Sequence, residues 1–199
     1  IPESTAITCV KPEGNSSQLR DSSSGIHPRY SKYYIRTNRG NKVDPTTQFL
    51  KDQGVPCEDD VTNPHVYVFS FPQEAPNGGK YRDDISALAQ LELWLSYNEW
   101  WCEHKPSITV YVRPNEWLEV GAFVYKHFDK MSGISFLPFT DHSYRQAPYQ
   151  EITKEEYDKL VEKMPKILDL SQLEKYETTD QTTSTREFAC TGAQSCELV

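Results

Sequence analysis

The spacing of apolar and polar positions predicts a run of short strands and helices. Residues 5–11 (TAITCVK) are rich in β-branched types and read as a short buried strand. The strand leads into KPEGNSSQL at 11–19, and residues 22–32 (SSSGIHPRYSK) are turn-rich. YYIR at 33–36 is strand-like. Asp44 and Pro45 open a short helix through TTQFLKDQ, with Asp44 as N-cap and proline at the first helical position, and Gly54 closes it. Residues 66–71 (VYVFSF) form a strand, followed by a loop at 75–79 (APNGG).

Asp83 or Asp84 then caps a long apolar helix reaching about Cys102. Ile85, Leu88, Leu91 and Leu95 lie at helical spacing, and Leu93, Trp94, Trp100 and Trp101 widen the stripe, so burial on more than one side is expected. A strand at 107–112 (SITVYV), a helix from Pro114–Asn115 to Met131 ended by Gly133, and a strand at 134–139 (ISFLPF) follow. The last helix, 152–164 (ITKEEYDKLVEKM), starts with Thr153 and Glu156 as a capping box. Ile152 and Tyr157 are placed for a hydrophobic staple, and Tyr157, Leu160, Val161 and Met164 form its apolar face. Alternating strands and helices predict an α/β fold.

After Leu173 the pattern stops. Residues 174–189 (EKYETTDQTTSTREFA) are polar, Thr-rich and aperiodic, which predicts a flexible tail. That tail carries Cys190 and Cys196 close to its end. Two exposed thiols there are either inconsequential, joined in a local disulfide, or a tethered dithiol. A tethered dithiol can reduce a buried disulfide through a mixed disulfide and then swing out to be reduced itself. The small residues of TGAQS between the two cysteines let the sulfurs meet.

Composition narrows the class. The 199 residues carry 25% charged and 37% hydrophobic side chains with a formal net charge of −8, a soluble and acidic balance. An acidic chain is a poor sequence-independent nucleic-acid binder, since such binding needs Lys and Arg on phosphates. No apolar run approaches the roughly 20 residues that span a bilayer, and Ile1–Val10 shows no signal-peptide pattern. The lack of an initiator Met implies that residue 1 is not the native start. Five cysteines (Cys9, Cys57, Cys102, Cys190, Cys196) without a C-x-x-C pair suit a reducing, cytoplasmic compartment. Cys9 and Cys102 read as inert core residues.

KPEGNSSQL combines a preceding strand, a Gly-containing turn and a helix start. That layout binds anions through backbone N–H groups and the helix dipole, although many such junctions bind nothing. The stretch does not match the Walker pattern, because no Lys-Ser/Thr follows the Gly.

Taken together, TCVKPEGNSSQL, SSGIHPRYSKYYIR, VFSFPQEAP, SITVYVRPNEWLEVGAFVYKHFD, GISFLPFTDHSYRQAPYQEI and the terminal Cys pair resemble the C-terminal part of adenosylcobalamin-dependent (class II) ribonucleotide reductases. The likeness is to the monomeric triphosphate-reducing branch, phage-borne forms included, and it covers almost the whole chain. It implies that residues 1–173 are the C-terminal part of a ten-stranded α/β barrel and 174–199 a flexible redox tail, with a cytoplasmic location (host cytoplasm if phage-encoded). It implies a thiyl-radical replacement of the ribose 2′-OH by hydrogen, started by adenosylcobalamin, whose site lies mostly outside this segment. The substrate is a ribonucleotide, and no nucleic acid or membrane partner is implied. Pro12, Glu13, Gly14, Asn15 and Ser16 would hold its phosphates. Cys190 and Cys196 would re-reduce the barrel disulfide and be recharged by thioredoxin or a similar dithiol donor.

The chain departs from the family at Glu13-Gly14-Asn15, where Ser-Gly-Thr is usual; Glu13 is awkward beside phosphate and is expected to point out. The N-x-C-x-E finger-loop signature does not occur here, so the chain is expected to be inactive without an N-terminal part of the reductase. Two other readings remain open. One is a class I-type large subunit, disfavoured because Tyr33-Tyr34, the only adjacent Tyr pair, sits too early for the radical path. The other is a non-enzymatic thiol-bearing binding module.

Overall fold

The structure is a computed structural model and describes residues 2–139 and 144–177. In chain order the elements are α1 (Ser16–Leu19), β1 (Tyr33–Asn41), α2 (Pro45–Asp52), β2 (Cys57–Asp59), β3 (Val66–Glu74), α3 (Ala87–Trp100), β4 (Ile108–Val112), α4 (Trp117–Lys126), β5 (Ile134–Pro138), β6 (Tyr149–Glu151) and α5 (Lys154–Lys163). Short 3₁₀ turns lie at Arg82–Asp84, Phe128–Lys130 and Leu170–Lys175. The described residues divide into two compact units, one built from 2–32 and 75–139 and the other from 33–74 and 144–177.

The first unit is a β–α–β arrangement. β4 and β5 run parallel, in register from Ile108 beside Ile134 to Val112 beside Pro138, and α4 makes the crossover. A parallel pair needs such a crossover, and its strands are normally covered on their faces. Ile108, Val110 and Val112 alternate into a core with Ala87, Leu91 and Trp94 of α3, Val120 of α4, and Ile26. The Trp94 indole N–H donates to the Pro106 carbonyl at 3.3 Å, so the buried ring has a partner for its polar edge.

The second unit is an antiparallel sheet of order β2–β3–β1–β6. β1 and β3 pair along nine positions, from Tyr33 beside Glu74 to Asn41 beside Val66. Pro72 lacks an N–H and is confined to the stretch beyond Phe69, where β2 has ended. Tyr34, Phe49, Val55, Val68 and Phe69 are buried here. Tyr157 of α5 packs its ring 5.2 Å from that of Tyr33.

The helix ends follow the chain's capping chemistry. Asp44 accepts from the Thr47 N–H at 2.8 Å, with Pro45 opening α2 and Gly54 at φ +84 beyond its end. Thr153 and Glu156 form the expected capping box, at 3.2 and 2.9 Å.

Six local expectations change. Residues 5–11 form no strand and are not buried: Ile7 is 79% exposed. The Ile7 and Thr8 N–H groups go to the Glu103 carboxylate, so no ladder forms. Cys9 and Cys102 are correspondingly half-buried rather than core residues. α3 starts from Ser86, whose hydroxyl accepts from the Ala89 N–H, after a separate turn at Arg82–Asp84. Within its unit α3 buries one face only, since Leu93, Trp100 and Trp101 stay exposed. α4 is shorter than its apolar pattern suggests, ending at Lys126 before the Phe128–Lys130 turn. Regular structure continues past Leu173: the last 3₁₀ helix runs to Lys175, and Tyr176 packs edge-on at 5.7 Å from Phe49 while its hydroxyl donates to Asp52 at 3.0 Å. Among the described residues, no helix is long and apolar enough to cross a membrane.

Candidate functional site

The anion-loop candidate lies in the first unit, beside the edge of β4 that β5 leaves open. Residues 8–11 run along this region in extended form. Val10 accepts from the Ser107 N–H at 3.1 Å, and the Lys11 ammonium donates to the Ser107 hydroxyl at 2.8 Å. The chain then turns outward through Pro12, Gly14, Asn15 and Ser16, all exposed. Asn15 is the N-cap of the single-turn α1, without a side-chain cap bond, and its carbonyl accepts from the Gln18 N–H at 3.0 Å. Ser17 is fully buried and anchors the turn. Four of the five expected phosphate-loop residues thus share one exposed surface at the start of α1.

Glu13 is the exception. Its carboxylate accepts from the Ser16 hydroxyl at 2.8 Å and is ion-paired with Arg20. It folds over the turn instead of pointing away, and it occupies the Ser16 hydroxyl. The hydrogen bond from Ser16, then that from Arg20, hold its pKa below the ordinary carboxylate value. The Ser16 hydroxyl and the Arg20 guanidinium are thus both engaged by Glu13.

Three residues outside the motif hold this loop. The Ser24 hydroxyl accepts from the Glu13 N–H at 2.8 Å and donates to the Glu13 carbonyl at 2.6 Å. Gly25, at φ +59, lies so close to Lys11 that a β-carbon would stand 2.9 Å from its carbonyl oxygen. His27 is largely buried; its Nδ1 donates to the Ser24 carbonyl at 2.7 Å, and its Nε2 accepts from the Thr109 N–H of β4 at 2.9 Å. Burial pushes its pKa down, against the opposing effect of the Ser24 carbonyl. The sequence marks 22–32 as turn-rich but gives no sign that SSSGIH would grip residues 11–13. Arg29, also buried, donates to the Ser22 carbonyl at 2.6 Å and pairs with Asp21 at 3.3 Å, fixing the turn after α1.

Cys190 and Cys196 lie outside the described residues. Among the described residues, no group of His, Cys, Asp and Glu could hold a metal ion.

No family model matches the chain. It is 30% identical over 156 residues to the adenosylcobalamin-dependent ribonucleoside-triphosphate reductase of Lactobacillus gasseri, covering 76% of this chain and 21% of that protein. It is 30% identical over 174 residues to the protein of the same name from Euglena gracilis, covering 86% of this chain and 24% of the relative. The chain thus spans about a quarter or less of the length of these curated relatives. A crystal structure of a B12-dependent (class II) ribonucleotide reductase superposes with a TM-score of 0.69 at 24% identity, covering 85% of this chain and 24% of that one, and shares the fold. Over most of its length, the chain is similar to one segment of adenosylcobalamin-dependent ribonucleoside-triphosphate reductases.

Proposed function

We propose that this chain is the C-terminal part of an adenosylcobalamin-dependent enzyme that reduces ribonucleoside triphosphates to 2′-deoxyribonucleoside triphosphates. The observation carrying the reading is the similarity over 76% and 86% of the chain to two reductases of that name. The barrel assignment has support in the β4–β5 pair, a parallel sheet of two strands, which is seldom stable without further neighbours. In this reading β4 and β5 are two strands of a ten-stranded barrel completed by an N-terminal part of the same enzyme.

Pro12, Glu13, Gly14, Asn15 and Ser16 line the site of the substrate's phosphates, and the backbone N–H groups of Gly14, Asn15 and Ser16 are its main donors. The exposure of Pro12, Gly14, Asn15 and Ser16 supports this role. Adenosylcobalamin, when bound, supplies the radical that opens turnover. It carries its cobalt within its own macrocycle, so it asks for no metal-ligand cluster from these residues, and its contacts lie mostly on the rest of the enzyme. Each turnover leaves a barrel disulfide. Cys190 and Cys196 pass two electrons and two protons to it, become a disulfide themselves, and are recharged by thioredoxin or a similar dithiol.

The test is nucleotide reduction by the complete enzyme. The segment alone should give no product; with the N-terminal part, adenosylcobalamin and a dithiol, product should form. Cys190→Ser or Cys196→Ser should stop after about one turnover with thioredoxin and recover with dithiothreitol, which reaches the barrel disulfide directly. Sustained thioredoxin-driven turnover in either variant rules out the shuttle, and turnover by the isolated segment rules out the whole reading.

A further inference from the structure

We propose that Ser24, Gly25 and His27 are positioning residues that seat the Lys11–Glu13 backbone so that the following turn meets the phosphates of a nucleotide. The proposal rests on the reading of Pro12–Ser16 as the phosphate-holding loop, and it concerns three residues that touch no substrate.

A continuous chain of hydrogen bonds runs from the sheet to the loop. It starts at the Thr109 N–H on β4, which donates to His27 Nε2 at 2.9 Å. His27 passes the constraint to the Ser24 carbonyl through Nδ1–H at 2.7 Å, and the His27 backbone N–H donates to the same carbonyl at 3.1 Å. The Ser24 hydroxyl then closes on both polar groups of one peptide residue, accepting from the Glu13 N–H and donating to the Glu13 carbonyl. A hydroxyl has one hydrogen and two lone pairs, so it can do both at once. Only the neutral imidazole protonated on Nδ1 fits this chain, because Nε2 must accept. Gly25 supplies the steric half of the seat: its lack of a side chain lets the backbone lie against Lys11 and Pro12.

The consequence is directional. Glu13 has both backbone polar groups taken by Ser24, so the loop's orientation is set without a ligand. Fixing that orientation in advance removes an ordering cost from binding. Loss of the seat should therefore weaken substrate binding while leaving the chemical step alone.

The experiment uses the complete reductase carrying Ser24→Ala, Ser24→Thr or His27→Ala. Four quantities are read: KM and kcat for a ribonucleoside triphosphate, amide exchange of the 11–16 peptide, and amide exchange of the 108–112 peptide of β4. Ser24→Ala should raise KM roughly tenfold, the scale of losing one or two hydrogen bonds, with kcat within about twofold. Exchange should quicken at 11–16 and hold steady at 108–112. His27→Ala should likewise raise KM and quicken 11–16, and it should also quicken 108–112, because the Thr109 N–H loses its acceptor; Ser24→Thr, which keeps the hydroxyl, should stay near the parent. Unchanged exchange at 11–16 in Ser24→Ala overturns the seat. Faster exchange at both peptides in Ser24→Ala shows general loosening and also overturns it. Faster exchange at 11–16 alone, with KM unmoved, overturns the phosphate reading on which the proposal rests.

Discussion

The carboxylate of Glu116 accepts a hydrogen bond from the Ala87 N–H, 3.0 Å away and 29 residues earlier in the chain. Ala87 opens α3, and Glu116 immediately precedes α4, so one side chain satisfies a first-turn donor of a different helix. The other carboxylate oxygen accepts from the Arg113 N–H at 2.8 Å. Glu116→Ala leaves both donors without this partner and should lower stability by about 1–3 kcal/mol, and Glu116→Gln by less. Denaturant midpoints of the two variants check this; an Ala variant no weaker than the Gln variant would refute it.

Two glycines of the first unit should respond oppositely to alanine. Gly133 has φ +66, and a β-carbon there runs into the Pro106 carbonyl oxygen just ahead of β4. Gly133→Ala should cost roughly 2–4 kcal/mol through backbone strain and overpacking. Gly121 sits within α4 with nothing within 4 Å of its would-be β-carbon. Gly121→Ala should add about 0.5–1 kcal/mol by helix propensity. Thermal melts in parallel decide the matter, and a shared sign for the two shifts would contradict it.

Stability should depend on pH through His27. Burial lowers its folded pKa below the unfolded value of 6.5, and its two ring bonds need the neutral form. A depressed histidine pKa means that the unfolded chain takes up a proton first. Its contribution is therefore complete above pH 6.5 and is lost as pH falls through the folded value. His27→Gln removes the titration, so the parent should lose more stability than the variant between pH 8 and pH 5, an interval that spans the ordinary histidine range. Equal losses in both proteins would count against a neutral, buried His27.

Glu13 should act as a brake on substrate binding. Its carboxylate lies on Ser16 and Arg20, where a phosphate would bring its own negative charge. Glu13→Gln keeps the size and removes the charge. In the complete reductase it should lower KM for a ribonucleoside triphosphate by roughly two- to fivefold, more at low salt, as expected for an exposed charge. A higher KM would show that the carboxylate assists binding, and a fall independent of ionic strength would show that its charge is not the brake.

Much of the second unit's local structure is readable from the chain, because its signals are local. Asp44-Pro45 and the Thr153/Glu156 box place two helix starts, since a cap depends on residues two or three positions apart. The pairing of β1 with β3 is not readable, because α2 and β2 intervene and neither strand names its partner. TAITCVK misleads for a different reason: β-branched residues suit extended backbone, but Glu103 takes the donors a neighbouring strand would use. The apolar breadth of α3 also misleads within its unit, where Leu93, Trp100 and Trp101 remain exposed. At the candidate site the motif residues are legible, while Ser24, Gly25 and His27 are not. Their role comes from bonds across 11 and 82 residues of chain, which no local spacing encodes.

Because each unit is woven from two separate stretches of chain, assembly has a timetable. On the ribosome, Glu13 and Ser24 emerge long before Thr109, the strand residue that fixes His27. At about 5–20 residues per second, that interval lasts roughly 4–16 s. During it the complete antiparallel β1–β3 pair, Tyr33–Asn41 with Val66–Glu74, has already been made. The nascent chain is thus expected to hold a formed hairpin-like sheet inserted in a first unit that still lacks β4, and the loop at Pro12–Ser16 gains its anchorage only when that strand leaves the exit tunnel.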